Sequence, residues 1–207
     1  MIRDSLLVRA NSAWRDKVRW AGLLHLVFYL GYPLLQRYPL RPAQEVPWLP
    51  WDAIFPFVPG AVWGYQGLFL LMPLTLLALP DAPAVRRHGW ELLLIMASAF
   101  LVFLLWPTFV PRPAGAPEGF YGLMMLLDRP TNALPSLHAA FVMHTSVALW
   151  RLCPAWRWRV VAGIVGCGIV WCAGATHQHR AMDLLAGLAL GLAVPVIREL
   201  VRGSPHA

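Results

Sequence analysis

Long apolar runs, separated by short polar or proline-rich segments, dominate the pattern of the chain. A helix needs about 20 mostly apolar residues to cross the hydrocarbon core of a bilayer. Six runs reach or approach this length, and they cover residues 20–36, 61–80, 91–110, 137–152, 159–176 and 181–200. The fourth is the shortest, which is typical of a helix whose outer end stops inside the membrane at a pocket. The pattern therefore predicts an all-α protein, a six-transmembrane-helix bundle over residues 20–200 between two tails, 1–19 and 201–207.

Composition supports this interpretation. Apolar residues make up 58% of the chain and charged residues 13%, whereas a soluble domain carries about 25% charged residues. The net charge of +7 does not indicate nucleic-acid binding, because the basic residues sit at the ends of apolar runs and form no continuous stripe. The three cysteines have no metal-ligand spacing and are expected to be small apolar packing residues.

The distribution of lysine and arginine predicts the orientation of the bundle. Twelve of the 17 basic residues fall in or next to the two tails and the second and fourth predicted connections, on one side of the membrane. The other five lie on the opposite side: Arg37, Arg41, Arg112, Arg129 and Arg180. Because cytoplasmic segments are enriched in basic residues, both termini are predicted to be cytoplasmic. The chain is then a multi-pass protein of the cytoplasmic (inner) membrane, with its unusual histidines near the outer, periplasmic face.

Two short motifs put ionisable side chains at the outer ends of predicted helices. In NALPSLHAAF, Ser136 is suited to cap the fourth predicted helix, and His138 lies in its first turn. Exposed backbone amides at such a helix start bind anions. In GATHQHRAMDLLAG, His179 and Asp183 are four residues apart, which puts them on one helix face. The carboxylate is expected to accept a hydrogen bond from one ring nitrogen and to leave the other as a nucleophile.

The two intervening predicted spans bring both motifs to the same outer face. Arginine suits a phosphate there, since its guanidinium makes bidentate contacts to phosphate oxygens. Arg112 in VPRPAG is the first candidate ligand, and Arg129, Arg180 and His177 are further candidates. The sequence therefore predicts a phosphate-binding pocket that contains a nucleophile.

LPSLHAAF followed by H-x-x-x-D, in a chain with six predicted spans, resembles the type 2 phosphatidic acid phosphatase superfamily. The closest resemblance is to the inositol phosphorylceramide synthase branch, which WDAIFPFVPGAVWGY also resembles. This resemblance implies a metal-independent lipid phosphatase or phosphotransferase that needs no cofactor and acts on a lipid phosphate or phospholipid in the membrane. His179 would form a phosphohistidine, His138 would protonate the leaving alkoxide and Asp183 would orient the nucleophile. Ser136 and arginines would hold the phosphate.

Two motif positions differ from the superfamily pattern. The K-x6-R-P motif has Leu105 in place of its lysine, and the arginine that usually precedes the nucleophile by six residues is Ala173. His177 or Arg180 is the candidate for the missing charge.

Other functions stay open at this point. The phosphoryl acceptor is water in a phosphatase and a lipid or sugar alcohol in a transferase, and no residue decides between them. Outside this class, the alternatives are a bis-histidine haem protein and a non-catalytic membrane protein. A zinc or iron site is a further alternative, with ligands among His138, His144, His177, His179 and Asp183.

The remaining histidines and one apolar segment have simpler predicted roles. His25 and His144 are expected to be hydrogen-bonded packing residues, and His88 is expected to be solvated. Segment 119–127 is either a lid over the pocket or a helix along the interface.

Overall fold

The computed structural model describes residues 8–9, 11–113 and 119–203, and it is 74% helix and 3% strand. The predicted all-α class is confirmed. The helices are α1 Trp14–Arg37, α2 Val62–Tyr65, α3 Leu68–Ala78, α4 Ala82–Leu105, α5 Gly119–Leu127, α6 Leu137–Leu152, α7 Trp156–Ala175 and α8 Ala181–Gly203. Two 3₁₀ turns, Pro50–Ile54 and Pro59–Ala61, precede α2. Two short parallel strands, β1 Gln44–Glu45 and β2 Thr108–Phe109, pair with each other. Parts of both predicted tails, residues 1–7 and 204–207, lie outside the described residues.

Five helices in the described residues are long and apolar enough to cross a membrane. They are Trp14–Arg37, Pro59–Ala78, Ala82–Leu105, Trp156–Ala175 and Ala181–Val201. Large apolar side chains such as Leu30, Leu70, Leu101 and Ile164 are exposed on the outside of the bundle, as lipid contact requires. The chain is therefore a multi-pass membrane protein by the length and composition of its helices.

Helix α6, the fourth predicted span, differs from the other five. Its 16 residues extend about 24 Å at 1.5 Å per residue, less than the hydrocarbon core of about 30 Å. It packs against α3, α4, α7 and α8, and its first six residues are all buried. The count of six spans and the cytoplasmic position of both termini stay predictions.

Two helices begin earlier than predicted. α1 begins at Trp14, so the predicted boundary between tail and membrane domain at residue 19 falls inside a helix. α4 begins at Ala82 instead of 91, because Asp81 caps it by accepting a hydrogen bond from the amide of Ala84 at 2.8 Å. Hydropathy locates the apolar part of a helix, whereas capping chemistry locates its end. Arg86 consequently lies within α4 and not in a connection.

Helices α6 and α8 approach each other closely. A Cβ atom at Gly187 would overlap the carbonyl oxygen of Ser136, and one at Gly191 would overlap that of Ala140. Glycine at these two positions therefore lets the backbones touch. The contact matters for function, because Ser136 begins α6 and α8 carries Asp183.

Segments 44–58, 106–113, 128–136 and 176–180 form a layer of loops at the end of the bundle where α6 and α8 begin. Hydrogen bonds join them: the Thr108 side chain accepts from the amide of Leu134 at 2.8 Å, and the amide of Val58 donates to the carbonyl of Ala175 at 2.8 Å. This loop layer carries or borders most of the predicted site residues.

Candidate active site

His179 and Asp183 form a tight pair at the start of α8. Nδ1 of His179 lies 2.5 Å from Oδ2 of Asp183, and Oδ1 of the same carboxylate accepts a hydrogen bond from the amide of Arg180 at 2.6 Å. Asp183 is fully buried, and each of its two carboxylate oxygens has one of these donors as a partner. With Nδ1 donating to the carboxylate, Nε2 of His179 carries the lone pair.

The start of α8 is anchored by Asp52, which the sequence analysis did not select. Oδ1 of Asp52 accepts from the amide of Ala181 at 2.6 Å, and Oδ2 accepts from the amide of Leu49 at 2.7 Å. A buried carboxylate thus satisfies an orphan N–H of the helix and complements its positive end. The available sequence signal was an isolated acid in the apolar, tryptophan-rich stretch WDAIF.

Ser136 caps α6, as predicted, with Oγ accepting from the amide of Ala139 at 3.1 Å. Its own amide donates to the carbonyl of Asp183 at 2.9 Å, so one backbone bond joins the start of α6 to the first turn of α8. Ser136 is fully buried and lines neither of the two cavities described below. In this geometry it positions His138, and its predicted contact with a phosphate stays a prediction.

His138 lies in the first turn of α6 and stacks on Tyr65. The ring centroids are 4.0 Å apart and the planes differ by 11°. Nε2 of His138 is buried and has no hydrogen-bond partner among the described residues. A buried polar atom without a partner is costly, so this nitrogen is suited to a bound group. Tyr65 was not selected from the sequence, because an aromatic residue in an apolar run carries no distinguishing signal.

A cavity of about 610 Å³ extends from the two histidines into the helix bundle. His138, His179, Asp128 and Gln36 line its polar end, and the rest of its wall is mostly apolar. Along α1 the lining runs from Gln36 back to Ala21, a distance of about 22 Å at 1.5 Å per residue. Helix α5, predicted as a lid or an interfacial helix, forms part of this wall. The cavity therefore has the shape and polarity to hold an amphiphile.

Arg112 and Arg129 lie beside His179, in a smaller pocket that they line together with Asn132. The Arg112 guanidinium donates to the carbonyls of Met125 at 3.1 Å and Asp128 at 2.5 Å, while Nε of Arg112 is buried without a hydrogen-bond partner among the described residues. Oδ1 of Asn132 is buried and has no hydrogen-bond partner in the part of the chain that the structure describes, and the Asn132 backbone is left-handed, with φ of 63°. This pocket brings positive charge to His179.

Arg180 and His177 are not brought to either cavity. The Arg180 guanidinium donates to the carbonyl of Val46 and to Glu45 Oε1, the latter at 2.8 Å. Nε2 of His177 lies 3.2 Å from the carbonyl oxygen of Phe55. Both side chains hold the loop layer together, so neither supplies the charge missing from the superfamily pattern in this geometry.

Asp128 is an acidic group at the polar end of the cavity that the sequence analysis did not select. It accepts a hydrogen bond from Gln36 at 2.7 Å. Burial raises the pKa of the Asp128 carboxyl, and Gln36, Arg112 and His179 offset this only in part. A raised pKa increases the neutral fraction, which lowers the repulsion that an anion would meet here.

Two of the remaining histidines form a cluster of their own. His88 is 4% exposed, so the expectation that it is solvated is wrong. It stacks on His144, with ring centroids 4.8 Å apart. His144 therefore lies with His88 and not with the histidines at the polar end of the cavity, and a metal site that combines it with them does not fit the structure.

Comparisons of the chain with protein-family models, with curated proteins and with solved structures found no match. The resemblance therefore rests on the sequence features described above, and function has to be argued from the geometry of the site.

Proposed function

We propose that this protein is an integral membrane lipid phosphatase or phosphotransferase that works through a phosphohistidine on His179. One observation carries the proposal: His179, paired with Asp183, and His138, whose Nε2 has no hydrogen-bond partner among the residues described, both line the polar end of a long apolar cavity. A lipid phosphate would fit with its chain in the cavity and its headgroup at the histidines.

The first half-reaction is an in-line displacement. The Nε2 lone pair of His179 attacks phosphorus, the P–N bond forms, and the bond from phosphorus to the lipid oxygen breaks. The leaving alkoxide takes a proton from His138, whose imidazolium form is stabilised by the bound phosphate. Asp183 holds the His179 ring in the required tautomer and stabilises the positive charge that the ring acquires.

The second half-reaction reverses the roles. Neutral His138 takes a proton from the acceptor, the acceptor oxygen attacks phosphorus, and the P–N bond breaks to return the lone pair to His179. Arg112 and Arg129 supply positive charge for the equatorial oxygens throughout. Water as acceptor gives inorganic phosphate, whereas a lipid alcohol gives a new phospholipid, the reaction of an inositol phosphorylceramide synthase-like transferase.

The direct test is to trap the intermediate. Purified protein in lipid nanodiscs is mixed with a lipid phosphate labelled with ³²P, with and without EDTA, and quenched in base, where phosphohistidine survives. We expect label on the wild type and none on His179→Ala. His177→Ala is the matched control, because that imidazole lies two residues away but outside the cavity, and it should be labelled like the wild type.

The products decide between the two acceptors. Inorganic phosphate identifies hydrolysis, and a labelled lipid formed only when an acceptor alcohol is present identifies transfer. Absence of label and of both products across a panel of lipid phosphates, in a folded wild type, would refute the proposal. The absorption spectrum of the same preparation tests the haem alternative, which requires a strong haem band.

We also propose that the site faces the outer side of the cytoplasmic membrane, in a bundle of six spans with both termini inside. The supporting observation is the unequal distribution of lysine and arginine. Reporter domains fused to each terminus test this: both should report a cytoplasmic position, and a periplasmic C-terminus would contradict the count of six.

A further inference from the structure

A second group of ionisable side chains lies inside the bundle, away from the candidate active site. His88 and Glu91 come from α4, His144 from α6 and Arg198 from α8. His144 is six residues further along α6 than His138, which is about 9 Å at 1.5 Å per residue. His88 and His144 are 4% and 2% exposed. Ionisable groups at such depth are costly and are candidates for function by default.

Ion pairing explains only part of this group. NH1 of Arg198 lies 2.9 Å from Oε1 of Glu91, so the carboxylate already has a cationic partner. Nε2 of His144 nevertheless lies 3.1 Å from Nδ1 of His88 and 3.6 Å from Oε2 of Glu91. Two imidazole nitrogens and a second carboxylate oxygen therefore lie within 4.8 Å of one another. The hydrogen bond between the two rings accounts for one of these contacts, and the Arg198–Glu91 pair accounts for none of them.

Two of the three separations between these atoms match those of ligands around a tetrahedral ion. With metal–ligand bonds of about 2.0–2.2 Å, separations of 3.1 and 3.6 Å correspond to angles of roughly 100° and 120° at the metal, on either side of the tetrahedral value. All three ligand atoms lie within 4.8 Å of one another. The remaining separation is the one between Nδ1 of His88 and Oε2 of Glu91. A shift of about an ångström in the Glu91 side chain is enough to bring it into the same range.

We infer that His88, Glu91 and His144 form a binding site for a divalent transition metal of the zinc class. Two imidazoles and one carboxylate are a ligand set that zinc uses. Arg198 binds the other Glu91 oxygen, which keeps the carboxylate beside the two imidazoles. His88 also lines the 610 Å³ cavity, so a fourth ligand can reach the ion from that side.

The inferred metal has a structural consequence. Its ligands come from α4 and α6, so the ion would link these two helices directly. Arg198 would extend this link to α8 through its ion pair with Glu91. None of its ligands takes part in the proposed phosphoryl transfer. The inference is therefore independent of the proposed function and stands or falls on metal binding alone.

The test is titration of purified protein in nanodiscs with Co²⁺, followed by competition with Zn²⁺. We expect about one equivalent of Co²⁺ with the absorption bands of a four-coordinate ion in the wild type, displaced by Zn²⁺. Affinity should fall at least about tenfold in His144→Ala and in the isosteric Glu91→Gln. His25→Ala removes a histidine of α1 outside the group, and His179→Ala removes one at the active site; both should bind like the wild type.

The wild-type titration keeps the inference testable even if a variant fails to fold. No four-coordinate Co²⁺ spectrum in the folded wild type would overturn it, and so would equal affinity in the wild type and Glu91→Gln. Loss of the spectrum in His179→Ala would assign the ion to the active site instead. Because the readout is metal binding, a negative result here leaves the phosphohistidine experiment unaffected.

Discussion

Replacing Asp183 with asparagine changes one interaction at the centre of the proposed site. Asparagine has the same shape, and its oxygen can still accept from the amide of Arg180, which Asp183 binds at 2.6 Å. Its NH₂ group then faces Nδ1 of His179, where the carboxylate oxygen lay at 2.5 Å. An amide NH₂ only donates. The ring must therefore accept at Nδ1 and carry its proton on Nε2, which removes the nucleophilic lone pair.

The size of the effect follows from this tautomer change. In the Ser-His-Asp triad, where an acid plays the same orienting role, the corresponding change lowers kcat by about 10⁴. We expect Asp183→Asn to lower the rate of phosphohistidine formation by about 10³–10⁴, which is a barrier increase of roughly 4–5.5 kcal/mol. KM should change little, because the substituted group does not touch the substrate.

The assay is single-turnover labelling of His179 with a ³²P lipid phosphate. Glu45→Gln is the control, because it also neutralises an acid beside α8: Glu45 binds Arg180 at 2.8 Å but lies outside the cavity. It should stay within a few-fold of the wild type. An Asp183→Asn protein that is as stable as the wild type and labels within tenfold of its rate would refute the tautomer argument.

Two further predictions concern stability, measured by thermal unfolding in detergent. Gly187→Ala should lose about 1–3 kcal/mol, because its Cβ overlaps the Ser136 carbonyl, and it should lose activity as α6 is displaced. Gly168→Ala, on the open face of α7, should be neutral or slightly stabilising, so equal stability of the two variants would contradict the close contact. Asp128→Asn tests the raised pKa of Asp128. Folding favours the protonated Asp128 carboxyl over the ionised one. The protonated carboxyl therefore makes its full contribution to the free energy of unfolding below about pH 4, and this contribution is lost as the pH rises through the pKa of the folded protein. Asparagine cannot ionise, and the variant should therefore match the wild type in acid and become the more stable of the two towards neutral pH; the opposite trend would show that ionised Asp128 stabilises the fold.

The membrane helices could be predicted because apolar content is a local property. Each run long enough to span a bilayer is visible without knowledge of its neighbours, and five of the predicted segments correspond to candidate spans in the described residues. Helix ends were less predictable. The start of α4 at Ala82 depends on the capping carboxylate of Asp81 and lies nine residues before the predicted start at residue 91. The short α6 is buried by four other helices.

The sequence by itself determined the pairing of His179 with Asp183 and the cap at Ser136, because helical periodicity and capping act over three or four residues. Only the tertiary structure decided which other charged groups reach the site. Arg180 is held by Glu45, α8 is anchored by Asp52, and His88 is buried against His144, through contacts between residues 56 to 135 positions apart. Such partners are chosen by packing between distant elements, and neither the composition nor the periodicity of a single segment carries that information.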